Sequence, residues 1–258
     1  MKTIIYFVAA CGLCSSPFPA FAGPGPLTFT QSGDGNFYAV FSTGPCLAGL
    51  YPAPKSPTVA VDANQITITS NGVVASQFGN PPPPCDPKSE PGYLLPAPLG
   101  KLSDGHYSVV WNYSPGTVAG AFDVASGSLV PAGVALTNSS AVSGVWYDPL
   151  LVGSGMNLQM SGSGLLVTYF GWDSNGSRMW LTSDIGPKTI YPNTPIVLNM
   201  SYTTGGTFSL PKHNLAQWGT LTMSFSSCQS ATASLWGIDG QQNMTPVQLA
   251  GIAGLPGC

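Results

Sequence analysis

The sequence predicts an all-β protein, and three observations support that fold class. Glycine (32) and proline (25) together make up about a fifth of the 258 residues, so turns are frequent. Hydrophobic residues reach 43% while charged residues make up only 7%, a balance that argues against disorder. Short runs rich in valine, threonine and aromatic residues recur between turn signals, and no long amphipathic helical repeat is present.

The first 22 residues have the pattern of an export signal. Lys2 supplies a positive charge, residues 4–10 are apolar, and residues 20–22 (Ala-Phe-Ala) form a small-x-small cleavage site. The apolar run is too short to serve as a permanent membrane helix. Cleavage after Ala22 predicts a secreted or periplasmic protein. The alternative is a lipobox-like motif at residues 8–11, which would place a lipid anchor on Cys11.

The scarcity of basic residues excludes two classes of partner. The chain has seven lysines and arginines and a net charge of −3. Nucleic-acid binders obtain most of their affinity from basic side chains that contact phosphates, and so do proteins attracted to anionic membrane surfaces. We therefore expect neither a nucleic acid nor an electrostatically bound membrane surface as a partner.

The cysteines predict disulfide bonds. Two of the six lie in the export signal, and the mature chain retains four: Cys46, Cys85, Cys228 and Cys258. An even number in an exported protein favours disulfides, and proximity in sequence favours pairing the first with the second and the third with the fourth. No pair has the spacing of metal ligands, so neither a metal site nor a cofactor is predicted.

Two β-rich segments are predicted, residues 23–125 and residues 141–258. The stretch between them, residues 126–140, is small, polar and rich in turn formers, which is typical of a linker. In the first segment, strands are predicted at residues 36–42 and on both sides of Asn71-Gly72, since this dipeptide favours the type I′ turn of a hairpin.

The end of the first segment resembles the tyrosine corner of immunoglobulin-like sandwiches. The pattern is Leu102-x-x-Gly105-x-Tyr107-x-Val109, followed by a further strand at residues 118–124. This generic resemblance implies an immunoglobulin-like β-sandwich for residues 23–125.

The second segment reads as an antiparallel meander, able to close as a barrel or to stack as a sandwich. Its main strands are predicted at residues 165–172, 178–182, 196–202, 219–226 and 231–236.

The second segment also resembles a widespread β-domain family of secreted proteobacterial proteins. The matching motifs are Ser143-Gly-x-Trp-Tyr-Asp-Pro149, Gly153-x-Gly155-x-Asn157-Leu158, Trp180-Leu181, Gly219-Thr-Leu-Thr-x-x-Phe225-x-x-Cys228 and a tail from Leu249 that closes on Cys258. The resemblance supports the Cys228–Cys258 pairing, since both cysteines belong to the pattern. It implies no particular activity.

The sequence gives little support for a catalytic site. No Gly-x-Ser-x-Gly motif is present, and the two histidines, His106 and His213, lie in turn-like sequence. Paired-carboxylate hydrolysis would have to use aspartates such as Asp148, Asp173 and Asp184, each of which a turn also explains.

An aromatic hairpin is the most suggestive feature. With a four-residue loop at residues 173–176, Trp172 would face Ser177 across the hairpin. Strand alternation then predicts one face made of Val167, Tyr169, Arg178 and Trp180. The other face would contain Phe170, Trp172, Met179 and Leu181. One face must be core, and the second is either covered or an exposed aromatic platform on which sugars can stack.

The sequence therefore predicts an exported, non-catalytic binding or adhesion module, with a glycan or another envelope component as its partner. A secreted hydrolase that uses Asp148 or Asp184 is one alternative, and a structural accessory domain for a protein partner is another. The candidate ligand-binding residues are Trp146, Tyr147, Asn157, Tyr169, Arg178 and Trp180.

Overall fold

The computed structural model confirms the all-β fold class. It describes residues 27–43, 47–51, 56–76, 92–114, 116–205, 209, 214–255 and 257, which form 18 strands and one short 3-10 helix. In this part of the chain no helix is long and apolar enough to cross a membrane. The export signal and the lipobox alternative lie outside the described residues.

The first unit is a sandwich of two sheets. Its strands are β1 Thr28–Gln31, β2 Phe37–Ser42, β3 Leu47–Tyr51, β4 Thr58–Asp62, β5 Gln65–Ser76, β6 Leu94–Gly100, β7 Gly105–Ser114, β8 Gly116–Ala125 and β9 Ser128–Leu129. One sheet has the order β1-β2-β6, and the other has the order β3-β5-β7-β8-β9 with β4 also paired to β5. Apolar side chains from both sheets meet in one core, as the sequence predicts.

The tyrosine corner is present at the start of β7. The hydroxyl of Tyr107 donates a hydrogen bond to the carbonyl of Ser103, four residues upstream, at 2.9 Å. Its ring is buried and stacks on Phe122 of β8 with 5.3 Å between ring centroids. One pairing of this sheet, between β5 and β7, is parallel.

The prediction of a hairpin at Asn71-Gly72 is wrong. Both residues lie inside β5, which continues to Ser76, and the pairing of β5 with β7 shifts register between Thr69 and Val73. The dipeptide therefore lies at an irregularity of the ladder, where a strand glycine is common. Pairing of β5 with β7 on one edge and with β4 and β3 on the other outweighs the local turn preference.

The second unit is an antiparallel meander that closes on itself. Its strands are β10 Gly144–Tyr147, β11 Gly155–Ser161, β12 Gly164–Trp172, β13 Arg178–Ser183, β14 Pro195–Thr204, β15 Asn214–Ser227, β16 Ser230–Gly237, β17 Gly240–Met244 and β18 Val247–Gly251. Each strand from β10 to β17 pairs with the next, and β18 pairs with both β10 and β16. Of the two predicted arrangements, the structure has the closed one, a barrel with a packed interior.

The β1-β2-β6 sheet of the sandwich packs against both units. Every residue of β2 except the last is buried, because its alternate side chains point into the sandwich core while Tyr38 and Val40 pack against Val197 of β14. The amide of Leu94 in β6 also donates to the hydroxyl of Ser234 in β16 at 3.0 Å. The sandwich therefore covers the outer side of the closed sheet at β14 and β16.

The stretch predicted as a linker is hydrogen-bonded to its surroundings. The side chain of Gln31 donates to the carbonyl of Gly127 at 2.9 Å and accepts from the amide of Leu129 at 3.2 Å. At the other end, Asn138 caps the 3-10 helix Ser139–Val142. The exact domain boundaries remain a prediction.

The structure describes one of the four mature cysteines. Cys228 is 1% exposed at the end of β15 and is disulfide-bonded. Cys46, Cys85 and Cys258 lie outside the described residues, so both predicted pairings remain predictions.

Candidate functional site

The outer face of β10–β13 carries exposed aromatic side chains. In these strands buried residues alternate with accessible ones, so one face lines the packed interior and the other faces solvent. Trp180 is 68% exposed, Trp172 51% and Tyr147 36%. Phe170 lies directly opposite Trp180 in the ladder, with 6.2 Å between their ring centroids. We call this surface the aromatic face.

The register of the β12–β13 hairpin differs from the predicted one by a single residue. Trp172 pairs with Arg178, and Phe170 pairs with Trp180. The cause is the loop, in which Asp173 and Ser177 join through one backbone hydrogen bond, and Gly176 has a φ of +79°. This is a three-residue loop with a bulge, whereas the prediction assumed a four-residue loop.

The aspartate side chain holds this loop in its shape. The Oδ1 atom of Asp173 accepts hydrogen bonds from the amides of Asn175, at 2.9 Å, and Ser177, at 2.8 Å. Because side chains alternate between the two faces of a strand, a one-residue shift in register changes which side chains of the two strands lie on the same face. Trp172 and Phe170 therefore share the outer face with Arg178 and Trp180.

Two of the six predicted ligand residues lie in the core. Trp146 is 0% exposed, and its Nε1 donates to the carbonyl of Val142 at 2.8 Å. Tyr169 is 1% exposed, and its hydroxyl donates to Oε1 of Gln242 at 2.7 Å. Both rings pack inside the closed sheet, so neither is available to a ligand at the surface, and these two predictions are wrong.

The other four predicted residues lie together on the aromatic face: Tyr147, Asn157, Arg178 and Trp180. Asn157 is half-buried between Val145 of β10 and Thr168 of β12 in the ladder. Arg178 is exposed and forms no ion pair with any described residue. The outward positions of β10–β13 include no carboxylate.

The sequence prediction missed Phe170 and Trp172, which the face includes. Two glycines make room for their rings. A β-carbon on Gly155 would lie 2.8 Å from Cζ of Phe170, and one on Gly153 would lie 3.2 Å from Nε1 of Trp172. The Gly153-x-Gly155 motif is thus a sequence signal for aromatic rings that pack closely against these two glycines.

The candidate catalytic aspartates are engaged by backbone and amide donors. Asp148 is 5% exposed and accepts from the amides of Leu150, at 2.8 Å, and Thr245, at 2.6 Å. Asp184 accepts from the backbone amide and the side-chain amide of Asn199, at 2.9 and 2.8 Å. These bonds give each carboxylate a structural role.

The histidine that the structure describes lies outside the aromatic face. His106 lies on the exposed side of the sandwich, where its Nδ1 is 2.7 Å from Oδ1 of Asp123. His213 lies outside the described residues. Within the residues that the structure describes, no group of three histidine, cysteine or acidic side chains is arranged to hold a metal ion.

Asp184 predicts a pH dependence of stability. Burial against the sandwich raises the pKa of its carboxyl above 3.8, and the negative charge of Asp34 acts in the same direction. The folded protein therefore holds this proton more tightly than the unfolded chain, and the resulting stability is lost as the pH rises through the folded-state pKa. We expect the stability of the wild type relative to Asp184→Asn to fall as the pH is raised from ~4 to ~7.

Urea unfolding of both proteins across this pH range measures the effect. Asp34→Asn is the control of opposite sign, because hydrogen bonds, chiefly from Ser32, lower the pKa of Asp34. The stability that Asp34 contributes is lost as the pH falls. Equal pH slopes for the wild type and Asp184→Asn would contradict the prediction.

Comparison of the chain with known protein families, with curated proteins and with solved structures gives no match. The resemblance of residues 141–258 to a secreted proteobacterial β-domain family therefore stays a prediction.

Proposed function

We propose that the protein is an exported, non-catalytic binding or adhesion module that holds a glycan on its aromatic face. The observation that carries the proposal is the exposure of Trp180 and Trp172, at 68% and 51%, on the side of the closed sheet that the sandwich leaves uncovered. Large apolar side chains grouped on the surface of a soluble protein commonly mark a binding site.

The chemistry of the face suits a sugar ring. A pyranose presents C–H groups on its flat faces and hydroxyls around its edge, so it can stack on an indole while it hydrogen-bonds at its rim. Next to the aromatic rings, the ladder places Asn157, Thr168 and Thr182 in one row. Their amide and hydroxyl groups can both donate to and accept from sugar hydroxyls.

The site of action follows from the export signal. Residues 1–22 support a secreted or periplasmic location, where envelope polysaccharides are accessible, and a lipid on Cys11 would keep the same module at a membrane surface.

Titration calorimetry with a panel of oligosaccharides from cellulose, chitin, α-glucan and peptidoglycan tests the proposal. We expect at least one member to bind the wild type, and Trp180→Ala to weaken that binding by about 30-fold, the loss expected for a central tryptophan. Because Trp180 is mostly exposed, its loss should leave the melting temperature nearly unchanged.

Leu215→Ala is the matched control, since Leu215 is 73% exposed on β15, outside the aromatic face. It should bind as the wild type does. If no oligosaccharide binds, or if Trp180→Ala and Leu215→Ala bind alike, the glycan proposal fails. The accessory-domain alternative, with a protein partner on the same face, would then take its place.

A further inference from the structure

A cleft of about 780 Å³ lies at the junction of the two units. Its boundaries are all four residues of β1, residues 120–123 and 129–132 of the sandwich, and residues 187–189 and 191–196 next to the closed sheet. Clefts of this volume between structural units are the usual location of ligand sites. None of the aromatic-face residues lines it.

Among the residues that the structure describes, no strand pairs with the edge of β1 that forms the floor of the cleft. β1 pairs with β2 on one side and ends its sheet on the other. In an antiparallel pair, alternate residues direct their N–H and C=O groups away from the partner strand. Among the described residues, no other backbone group bonds to these outward groups of β1. Such an edge is a template for one more strand.

We propose that this cleft receives one extended polypeptide segment of a partner protein, which adds to the free edge of β1 as a fourth strand. An added strand can hydrogen-bond to the outward backbone groups of β1 one after another along the edge. A sugar or a small apolar molecule cannot form such a regular series of hydrogen bonds. Residues 129–132, 187–189 and 191–196 line the cleft together with β1, so the space beside this edge suits one extended segment. The occupant that we assign is a single strand of a partner protein.

The walls also define which side chains the segment carries. On the sandwich side, Phe29 stacks on Phe122 at 4.6 Å between centroids, and its ring lies over Gly120. This surface suits an apolar side chain. On the other wall, Lys188 is exposed and forms no ion pair with a described residue, while Oδ1 of Asp123 lies 2.7 Å from Nδ1 of His106. The free ammonium is complementary to an acidic side chain of the segment.

A phage-displayed library of random 12-residue peptides, selected against the full exported protein, provides the probe. We expect enriched peptides to combine alternating apolar residues with an acidic residue. Their affinity should fall at least about tenfold in Ala132→Trp, which fills the cleft from one wall, and in Thr189→Trp, which fills it from the other. Val134→Trp is the matched control, since Val134 is 88% exposed and lies outside the cleft.

Two further measurements distinguish strand addition from other binding. Bound peptide should slow hydrogen exchange at amides of β1. Lys188→Glu should weaken the binding of acidic peptides. Trp180→Ala should bind the same peptides as the wild type does, because Trp180 lies outside the cleft. Three outcomes would overturn the proposal: no peptide enriched over Ala132→Trp, equal binding to Ala132→Trp and Val134→Trp, or protection confined to strands other than β1.

Discussion

Trp146→Ala is expected to lower the free energy of unfolding by about 4 kcal/mol, the range found when a large aromatic side chain is removed from a core. Trp146 is 0% exposed and meets the ring of Phe225 edge to face, with 5.5 Å between centroids. Its loss leaves a cavity inside the closed sheet and leaves the carbonyl of Val142 without the Nε1 donor. Urea unfolding followed by near-ultraviolet circular dichroism measures the change.

Trp180→Ala is the natural comparison because the same side chain is removed from the opposite face of the sheet. Its effect on unfolding should stay within about 0.5 kcal/mol, as is usual for exposed positions. The two substitutions should thus have opposite consequences. Trp146→Ala should lower stability, and Trp180→Ala should lower glycan affinity. A stable Trp146→Ala variant with impaired glycan binding would restore the ligand role that the sequence predicted for Trp146.

Asp148→Ala is expected to lower the free energy of unfolding by about 3 kcal/mol. The carboxylate is buried and joins the end of β10 to the chain that leads into β18, through the amides of Leu150 and Thr245. Removing it takes the acceptor away from two amides in partly buried hydrogen bonds, and an unsatisfied buried donor costs about 1–3 kcal/mol. Chemical denaturation gives the size of the effect, and faster hydrogen exchange in β18 should show where it acts.

Asp148→Asn separates hydrogen bonding from charge. The amide retains one oxygen acceptor, so about half of the loss should be recovered. If Asp148→Ala were as stable as the wild type, the carboxylate would be free of a structural role, and the hydrolase alternative would regain its main candidate.

The fold class and the order of strands were accessible from the sequence because both depend on local patterning. The alternating runs at residues 165–172 and 178–182 correspond to β12 and β13, and the Leu102-x-x-Gly105-x-Tyr107 pattern forms its hydrogen bond at 2.9 Å. Such signals depend on neighbouring residues alone, which is why a single sequence contains them.

Register and burial were less accessible, because they depend on contacts that form elsewhere. The structure closes this hairpin with a three-residue loop and a bulge, whereas the Asp-Ser-Asn-Gly signal predicts a four-residue loop. The resulting one-residue shift in register places Phe170 and Trp172 on the aromatic face. Asn71-Gly72 has the composition of a turn, but neighbouring strands pair with the residues before and after it on both edges of β5. The cleft beside β1 was not predicted at all, because it exists only where two units meet.

The position of β18 constrains when the protein can fold during its synthesis. This strand lies between β10 and β16 and completes the ring, so the ring stays open until residue 251 has been made. Until then the nascent chain exposes the edges of β10 and of part of β16, which invite pairing with other chains. A product terminated before Val247 would leave these edges exposed, and we expect it to be a substrate for proteolysis.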